Sequence, residues 1–101
     1  MSTEVAYHLS PLARSDLENI WTYTREHWSR RQADTYIREM TAVFADLAQG
    51  IRLGISAEDI WPGYLKYFVG AHIIFYRRRS TSIDIIRVLH KSMDIPARLN
   101  P

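Results

Sequence analysis

Several side chains in the second half of the chain are of the types that cleave RNA. Lys66, Arg87, His90 and Lys91 fall on or just beyond neighbouring predicted strands, with Tyr76 nearby. Cleavage by internal attack needs a base for the 2′-hydroxyl, an acid for the leaving oxygen, and cations that stabilise the phosphorane. A histidine such as His90 suits either proton transfer near neutral pH. Arg87 and Lys66 would then hold the phosphate.

A structural role for the same residues stays open. Arg87 can pair with Asp84 or another acid, and His90 can simply terminate a strand. No clear carboxylate base accompanies them. We therefore assign no catalytic residue, and we keep Arg87, His90 and Lys66 as the candidate set of an alternative, ribonuclease hypothesis.

Other chemistries find little support in the sequence. The four histidines, His8, His27, His72 and His90, lack the spacing of a metal site, so we expect no metal. The chain also lacks a Gly-rich phosphate loop and a Gly-x-Ser-x-Gly elbow, so nucleotide hydrolysis and serine hydrolase chemistry are poorly supported. We expect no cofactor.

The composition is that of an ordinary globular protein. Of the 101 residues, 47% are hydrophobic and 24% are charged, and this length predicts a single domain over residues 1–101. The chain has no cysteine, which favours a reducing compartment. It has no apolar run long enough to span a membrane and no signal-peptide pattern at its start, so we expect a cytoplasmic protein.

Charge is unevenly distributed along the chain. Residues 1–50 carry five Lys/Arg and seven Asp/Glu, whereas residues 51–101 carry eight and four. The second half therefore favours an acidic partner or a phosphate backbone, although a basic edge that prevents strand aggregation is an equal alternative. Arg30 and Arg31 oppose the dipole at the start of the second helix, which hints at an external acidic partner.

Two helices are predicted in the first half. Ser10 and Pro11 supply an N-cap and a first-turn proline. Ser29 with Gln32 forms a capping box that starts the second helix, and Gly50 supplies its C-terminal stop. Both segments carry apolar residues at helical spacing, and two helices joined this closely predict an antiparallel hairpin.

Strands are predicted on both sides of this hairpin. Val5, Tyr7 and Leu9 alternate with other residues as in a first strand. Residues 50–63 read as a loop with at most one helical turn, and residues 94–99 favour a last short turn or helix. Three further strands are joined by hairpin loops: Tyr64–Val69, His72–Arg78 and Ser82–His90.

The element order β-α-α-β-β-β predicts an α+β domain. It consists of an N-terminal strand, a two-helix antiparallel hairpin and a three-stranded antiparallel meander, with the helices packed on one face of a mostly antiparallel sheet.

Both faces of the sheet are apolar in sequence. In the last strand we expect Ile83, Ile85 and Leu89 on one face and Ile86 and Val88 on the other. A sheet with one wet face alternates apolar and polar residues. Either the C-terminus of the chain or a partner must therefore cover the second face. We favour a partner, because a large exposed apolar patch marks an interaction site.

The three tryptophans receive different predictions. Trp21 and Trp28 fall on the apolar stripe of the first helix, so we expect both in the core. Trp61 lies in the loop, where it either pins the loop against the sheet or belongs to a contact surface.

Short motifs follow one another in a fixed order from Tyr7 to Leu99. They are Leu9-Ser10-Pro11 with Ala13, Asp16-Leu17, Ile20-Trp21 with Tyr23, Gln32-Ala33 with Tyr36, Gly63-Tyr64, His72-Ile73-Ile74-Phe75-Tyr76, and Ile86-Arg87-Val88-Leu89-His90 before Met93-Asp94. No single motif is diagnostic. Because these motifs occur together in this order, the chain resembles the ParE branch of the ParE/RelE toxin superfamily.

The resemblance implies the toxin half of a type II toxin–antitoxin system. Such a toxin would be a non-enzyme that binds and inhibits DNA gyrase, neutralised by a ParD-like antitoxin whose C-terminal tail wraps it. The expected assembly is a hetero-oligomer, with two copies of each protein or more, that contacts DNA only through the antitoxin and involves no membrane. RelE-type relatives cleave ribosome-bound messenger RNA, and this is the alternative function.

Candidates for contact with the antitoxin or the target combine apolar and basic strand residues. They are Trp61, Lys66, Ile74, Tyr76, Arg77, Arg78, Arg87 and His90. A disordered tail could lay apolar residues across the uncovered face and acids against these cations. Two departures from the family pattern stand out. Leu65 replaces an arginine that often follows Gly-Tyr, with a base returning only at Lys66, and the loop 50–54 lacks the usual proline.

Overall fold

The computed structural model describes residues 6–99 as three helices and a five-stranded sheet. In chain order the elements are β1 (Ala6–Leu9), α1 (Pro11–His27), α2 (Arg30–Gln49), β2 (Ile55–Ser56), β3 (Tyr64–Val69), β4 (His72–Arg78), β5 (Ser82–His90) and α3 (Ile95–Leu99). The predicted α+β fold is confirmed, with a helical hairpin followed by an antiparallel meander of β3, β4 and β5. Val5, predicted in the first strand, lies outside the described residues.

The long helices are bounded by the caps that the sequence predicts. Ser10 Oγ accepts a hydrogen bond from the Ala13 amide at 3.0 Å, which satisfies a free donor of the first turn of α1. Ser29 Oγ accepts from the Gln32 amide at 3.0 Å in the same way. Gly50 ends α2 at φ +79°, a left-handed conformation that glycine adopts without strain.

The sheet is mixed rather than purely antiparallel. Its strand order is β1-β5-β4-β3-β2, and β1 runs parallel to β5 while all other neighbours are antiparallel. The helical hairpin and the meander between β1 and β5 supply the long connection that a parallel pair requires. The strand β2 lies within residues 50–63, which were predicted as a loop, and it pairs with β3. Two residues are too few to show a period-two pattern, so the sequence did not reveal it.

A β-bulge shifts the register between β4 and β5. Phe75 pairs with Arg87, whereas the next residue, Tyr76, pairs with Ile85. Ile86 is therefore the extra residue on β5, opposite no residue of β4. An extra residue reverses the side-chain alternation on the bulged strand from that point onward.

The bulge corrects the predicted faces of β5. Ile83 and Ile85 pack under the helices as one group, and Val88 joins them in this cluster at 2% exposure. Leu89 packs in the other cluster, with Ile86 beside it. The predictions that Leu89 shares a face with Ile83 and Ile85 and that Val88 lies on the opposite face are both wrong, because they assumed unbroken alternation.

The helices cover one face of the sheet and bury the larger of the two apolar clusters. The aromatic ring of Phe44 on α2 meets Tyr7 of β1 edge to face, with ring centres 5.3 Å apart. The buried members of this cluster are Ala13, Ile20, Met40, Val43, Phe44, Leu47, Ala48, Ile74, Tyr76, Ile83, Ile85 and Val88.

The second face is covered at its centre by the chain itself. Its buried cluster consists of Ala57, Ile73, Phe75, Leu89 and Leu99. Ala57 comes from the loop after β2, and Leu99 comes from α3, whose first residue, Ile95, packs against the same cluster. The expectation that a partner covers this face is therefore wrong for its centre, because the loop and the C-terminal helix already exclude water there.

One carboxylate fastens α1 to the free end of β5. The Asp16 carboxylate accepts two hydrogen bonds from the Arg87 guanidinium, from Nε to Oδ2 and from Nη2 to Oδ1, each 2.8 Å long. Its Oδ2 also accepts from the Val88 amide at 2.9 Å, because β1 pairs with β5 only as far as Ile85 and leaves that amide without a strand partner. Arg87 Nη1 donates in turn to the Arg98 carbonyl of α3 at 2.9 Å.

We expect Asp16→Ala to lower the free energy of unfolding by about 3 kcal/mol, because it leaves the guanidinium of Arg87 partly buried without its counter-charge. The side chains of Arg87 and Asp16 are only 13% and 11% exposed. Asp46→Ala is the matched control, since Asp46 pairs with Arg52 at 30% and 46% exposure and should contribute less than about 1 kcal/mol. Urea denaturation measures both, and equal losses would contradict the prediction.

Candidate functional site

Two of the three ribonuclease candidates, Arg87 and His90, line one cavity, but Lys66 does not line it. The guanidinium of Arg87 is held by Asp16 and by the Arg98 carbonyl, and the hydrogen bonds that it donates to Asp16 raise the pKa of Arg87 above its ordinary value. Lys66 and Arg87 lie in one register row with Phe75 of β4 between them. Two strand spacings separate them, roughly 10 Å. The prediction that Arg87 pairs with an acid is confirmed, but the acid is Asp16 rather than Asp84.

His90 is held at the end of β5 by the turn that follows. Its Nδ1 accepts a hydrogen bond from the Ser92 amide at 3.1 Å and lies 2.7 Å from Ser92 Oγ. Because Nδ1 accepts from the backbone, the neutral ring carries its proton on Nε2. His90 thus offers one donor to its surroundings.

Two of the residues predicted to contact a partner, Ile74 and Tyr76, are buried in the core. Ile74 is 0% exposed and Tyr76 is 1% exposed, both beneath the helices. The hydroxyl of Tyr76 accepts from the Gly54 amide at 2.9 Å, which ties the loop after α2 to the sheet. Both residues stabilise the core and are out of reach of a partner. We predicted them on an accessible surface because their strand carries apolar residues on both faces, so its sequence does not show which face the helices cover.

The basic candidates at the end of β4 have internal partners. Arg78 Nη2 donates to the Leu47 carbonyl at 2.9 Å, near the negative end of the α2 dipole. Arg77 and Arg79 share the Asp84 carboxylate at 3.4 and 2.6 Å. Partial burial opposes ionisation of Asp84, but these two cations outweigh it and lower its pKa below the ordinary value. Both Arg77 and Arg78 are exposed, but the Arg78 guanidinium is bound to the end of α2, whereas Arg77 has only its ion pair with Asp84.

An exposed part of the second face remains beside the covered centre. We call it the β2–β3 strip, formed by Ile55, Trp61, Lys66 and Phe68. Ile55 and Phe68 are 58% and 52% exposed, and Trp61 is 39% exposed. Lys66 lies opposite Ile55 in the sheet, with its Nζ 6.0 Å from the ring centre of Phe68. Arg77 adds a second cation near Trp61, since its register partner Tyr64 has its ring centre 6.4 Å from that of Trp61.

A groove that the sequence did not predict lies between the helices and the turn joining β3 to β4. We call it the hairpin groove, a cavity of about 660 Å³ whose principal lining residues are Tyr23, Trp28, Arg31, Tyr36, His72 and His90. An adjoining cavity of about 560 Å³ shares Tyr23, Thr24, His72 and His90 with it. Of the predicted site residues, the groove contains only His90.

Trp28 is the largest departure from the predicted core. Its side chain is 70% exposed. Helix α1 ends at His27, and Trp28 takes the non-helical dihedral angles φ −132° and ψ −87°, so its side chain leaves the apolar stripe. Trp21 is half-buried, and its Nε1 donates to Asp34 Oδ1 at 2.8 Å. The prediction therefore fails for Trp28, because the apolar spacing did not show where the helix ends.

His72 lies at the base of the hairpin groove, and its surroundings favour the neutral form of its ring. The Tyr36 hydroxyl donates to the Val69 carbonyl at 3.0 Å, so it accepts from His72 Nδ1–H, which lies 2.8 Å away. Burial and the neighbouring His90 lower the pKa of His72 to about 4, with Asp16 opposing them. A Cβ at Gly70 would lie 2.8 Å from the Tyr36 hydroxyl, so this contact requires glycine in the turn.

The described residues contain no candidate metal site and no helix that could span a membrane. Across residues 6–99 no group of three or more His, Asp or Glu side chains is placed to hold a metal ion. Within the same range no helix is both long and apolar enough to cross a membrane.

The same fold occurs in one chain of a solved structure. A solved structure described as the chromosomal ParDE TA system from P. aeruginosa matches with a TM-score of 0.73. The match covers 88% of this chain and 98% of that chain at 16% sequence identity, which shows a shared fold.

Sequence comparison shows the family. Residues 7–95 match the family described as ParE toxin of type II toxin-antitoxin system, parDE. Toxin ParE1 of Mycobacterium tuberculosis is 40% identical over 94 residues, covering 92% of this chain and 96% of that protein. Toxin ParE1 of Caulobacter vibrioides is 40% identical over 93 residues with the same coverage, and Toxin ParE of Escherichia coli is 30% identical over 95 residues, covering 93% and 92%. The chain belongs to the ParE toxin family of type II toxin–antitoxin systems.

We expect the stability of the protein to fall as pH decreases through the range set by His72. The fold keeps this ring neutral down to about pH 4, whereas the unfolded chain protonates it near pH 6.5. The unfolded state therefore binds more protons in this window, and the free energy of unfolding decreases as pH falls. His72→Gln should flatten the dependence measured by urea denaturation between about pH 7 and pH 4.5.

The exposed His8 supplies the control for this measurement. His8→Gln should retain the pH dependence of the unmodified protein. An unchanged dependence in His72→Gln would show that another group is responsible.

Proposed function

We propose that this chain is a toxin that arrests growth by binding DNA gyrase, and that a ParD-like antitoxin neutralises it. Membership of the ParE toxin family supports the toxin role. The observation that carries the antitoxin part is the β2–β3 strip, in which exposed Ile55 and Phe68 adjoin the cation of Lys66.

The strip has the chemistry of a surface that receives an acidic, partly apolar tail. Large exposed side chains beside lysine and arginine favour a partner that supplies both apolar contacts and carboxylates. The strip includes Ile55 of β2, a two-residue strand at the edge of the sheet. Main-chain groups along this edge are open to pairing with another strand. In the proposed complex the antitoxin tail folds on this surface, and the antitoxin alone contacts the operator DNA. The assembly holds two or more copies of each protein.

Inhibition by binding accords with the state of the basic residues. A ribonuclease of the RelE type would need Lys66, Arg87 and His90 around one phosphate. Here the guanidinium of Arg87 is neutralised by Asp16, and a buried Phe75 separates its strand position from that of Lys66. We therefore propose that the protein has no catalytic residues.

Expression of the chain alone should arrest bacterial growth, and co-expression with the adjacent gene should restore it. Purified protein should inhibit supercoiling by DNA gyrase, and induced cells should keep their transcripts intact. Site-specific cleavage of messenger RNA that depends on His90 would instead establish the ribonuclease alternative. Normal growth at a high level of folded protein would contradict a toxin role.

Phe68→Ala should weaken binding of the adjacent gene product by about tenfold or more, because it removes an exposed aromatic anchor from the strip. Lys66→Glu should have a similar effect, mainly through slower association with an acidic tail. Leu12→Ala is the matched control, since Leu12 is 58% exposed on α1, away from the strip. Calorimetric titration measures all three. Unchanged affinity in both strip variants would exclude the strip as the antitoxin surface.

A further inference from the structure

The hairpin groove is not used by the proposed antitoxin contact. It lies on the helix side of the sheet, where Tyr36 of α2 reaches His72 of β4. The β2–β3 strip lies on the opposite side, since Phe68 faces the same way as its register partner Ile73 in the second cluster. The sheet itself separates the two surfaces, so one partner segment on the strip leaves the groove open.

Two aromatic side chains line the groove at high exposure. Trp28 is 70% exposed and Tyr23 is 59% exposed. The ring of Tyr23 stacks on His27 with centres 3.8 Å apart, which fixes its orientation while leaving it accessible. Tryptophan and tyrosine are the residues that most often anchor protein interfaces, because each buries a large area while losing little side-chain entropy.

Two arginines that form no ion pair within residues 6–99 lie beside these aromatics. Arg31 lines the groove, and Arg30 precedes it in the first turn of α2. Neither forms an ion pair with any of residues 6–99. Both sit at the positive end of the α2 dipole, where a cation is unfavourable. Among residues 6–99, Glu39 is the only acid that lines the groove, two turns further along α2.

The polar groups of the groove are rich in donors. Arg31 supplies a guanidinium and Gln32 supplies an amide. His90 offers its Nε2–H, because its Nδ1 is occupied by Ser92. This set complements carboxylates, and the arginine can bind one in bidentate fashion.

We propose that the hairpin groove is the surface that engages the toxin's protein target, by receiving an acidic segment with one large apolar side chain. The apolar side chain packs against Trp28 and Tyr23, and a carboxylate pairs with Arg31. The inference rests on the proposed function, in which the protein acts by binding. It adds that target and antitoxin occupy different faces of the sheet.

The experiment compares two groove variants with two matched controls in the full-length protein. Trp28→Ala and Arg31→Glu alter the groove. Leu12→Ala removes a similarly exposed apolar side chain from α1, and Arg38→Glu reverses an exposed charge on α2 that forms no ion pair with residues 6–99. Each protein is assayed for inhibition of purified DNA gyrase, for growth arrest, and for affinity toward the adjacent gene product.

Each groove variant should raise the concentration needed for half-inhibition of gyrase by about tenfold or more, and growth arrest should weaken in parallel. Affinity for the antitoxin should stay within about threefold of the unmodified protein, which also reports that the variants are folded. Both controls should inhibit normally. Because Arg31 is exposed, Arg31→Glu keeps the test valid if Trp28→Ala fails to fold.

Undiminished inhibition by both groove variants would overturn the inference. So would an equal loss of antitoxin affinity in folded variants, which would place the antitoxin tail, or a second copy of this chain, in the groove. If the unmodified protein arrests growth without inhibiting gyrase, the gyrase proposal fails, and growth arrest by the variants then decides the inference. If the unmodified protein does neither, both proposals fail.

Discussion

The bond between Asp16 and the free end of β5 is the constraint on which the rest of the arrangement depends. Because β1 pairs only with the first part of β5, the Val88 amide would otherwise lack a partner at a half-buried edge. The carboxylate satisfies it and neutralises Arg87 with the same two oxygens. Helix α1 is thereby held against the strand, and Arg87 is withdrawn from chemistry and anchors α3 instead.

The division of the second face into a covered centre and an exposed strip follows from the bulge and from α3. The extra residue Ile86 returns Leu89 to the side where Ile73 and Phe75 lie, so the centre of that face becomes apolar enough to bind Leu99 of α3. Ile55 of β2 and Phe68 of β3 receive no such cover. An apolar strip beside cations is left on one side of the sheet, and the hairpin groove is left on the other.

Local chemistry fixed the parts that the sequence predicted well. An N-cap such as Ser10 or Ser29 works through atoms three residues away, and Gly50 ends a helix through its own backbone freedom. The three strands of the meander were predicted with their observed bounds, since alternation and glycine-containing turns are also short-range signals. The candidate site was predicted less well: Lys66, Trp61 and the position of His90 were located, but not what surrounds them.

The sequence by itself thus determined the order of the elements other than β2, the starts of both long helices, the end of α2 and the family to which the chain belongs. Only the tertiary structure decided which acid pairs with Arg87, which face Leu89 joins, and whether Trp28 is buried. Each of these depends on residues far apart in the chain, such as Asp16 and Arg87, separated by 71 positions. A periodic pattern describes one segment at a time and carries no information about which segment will pack against it.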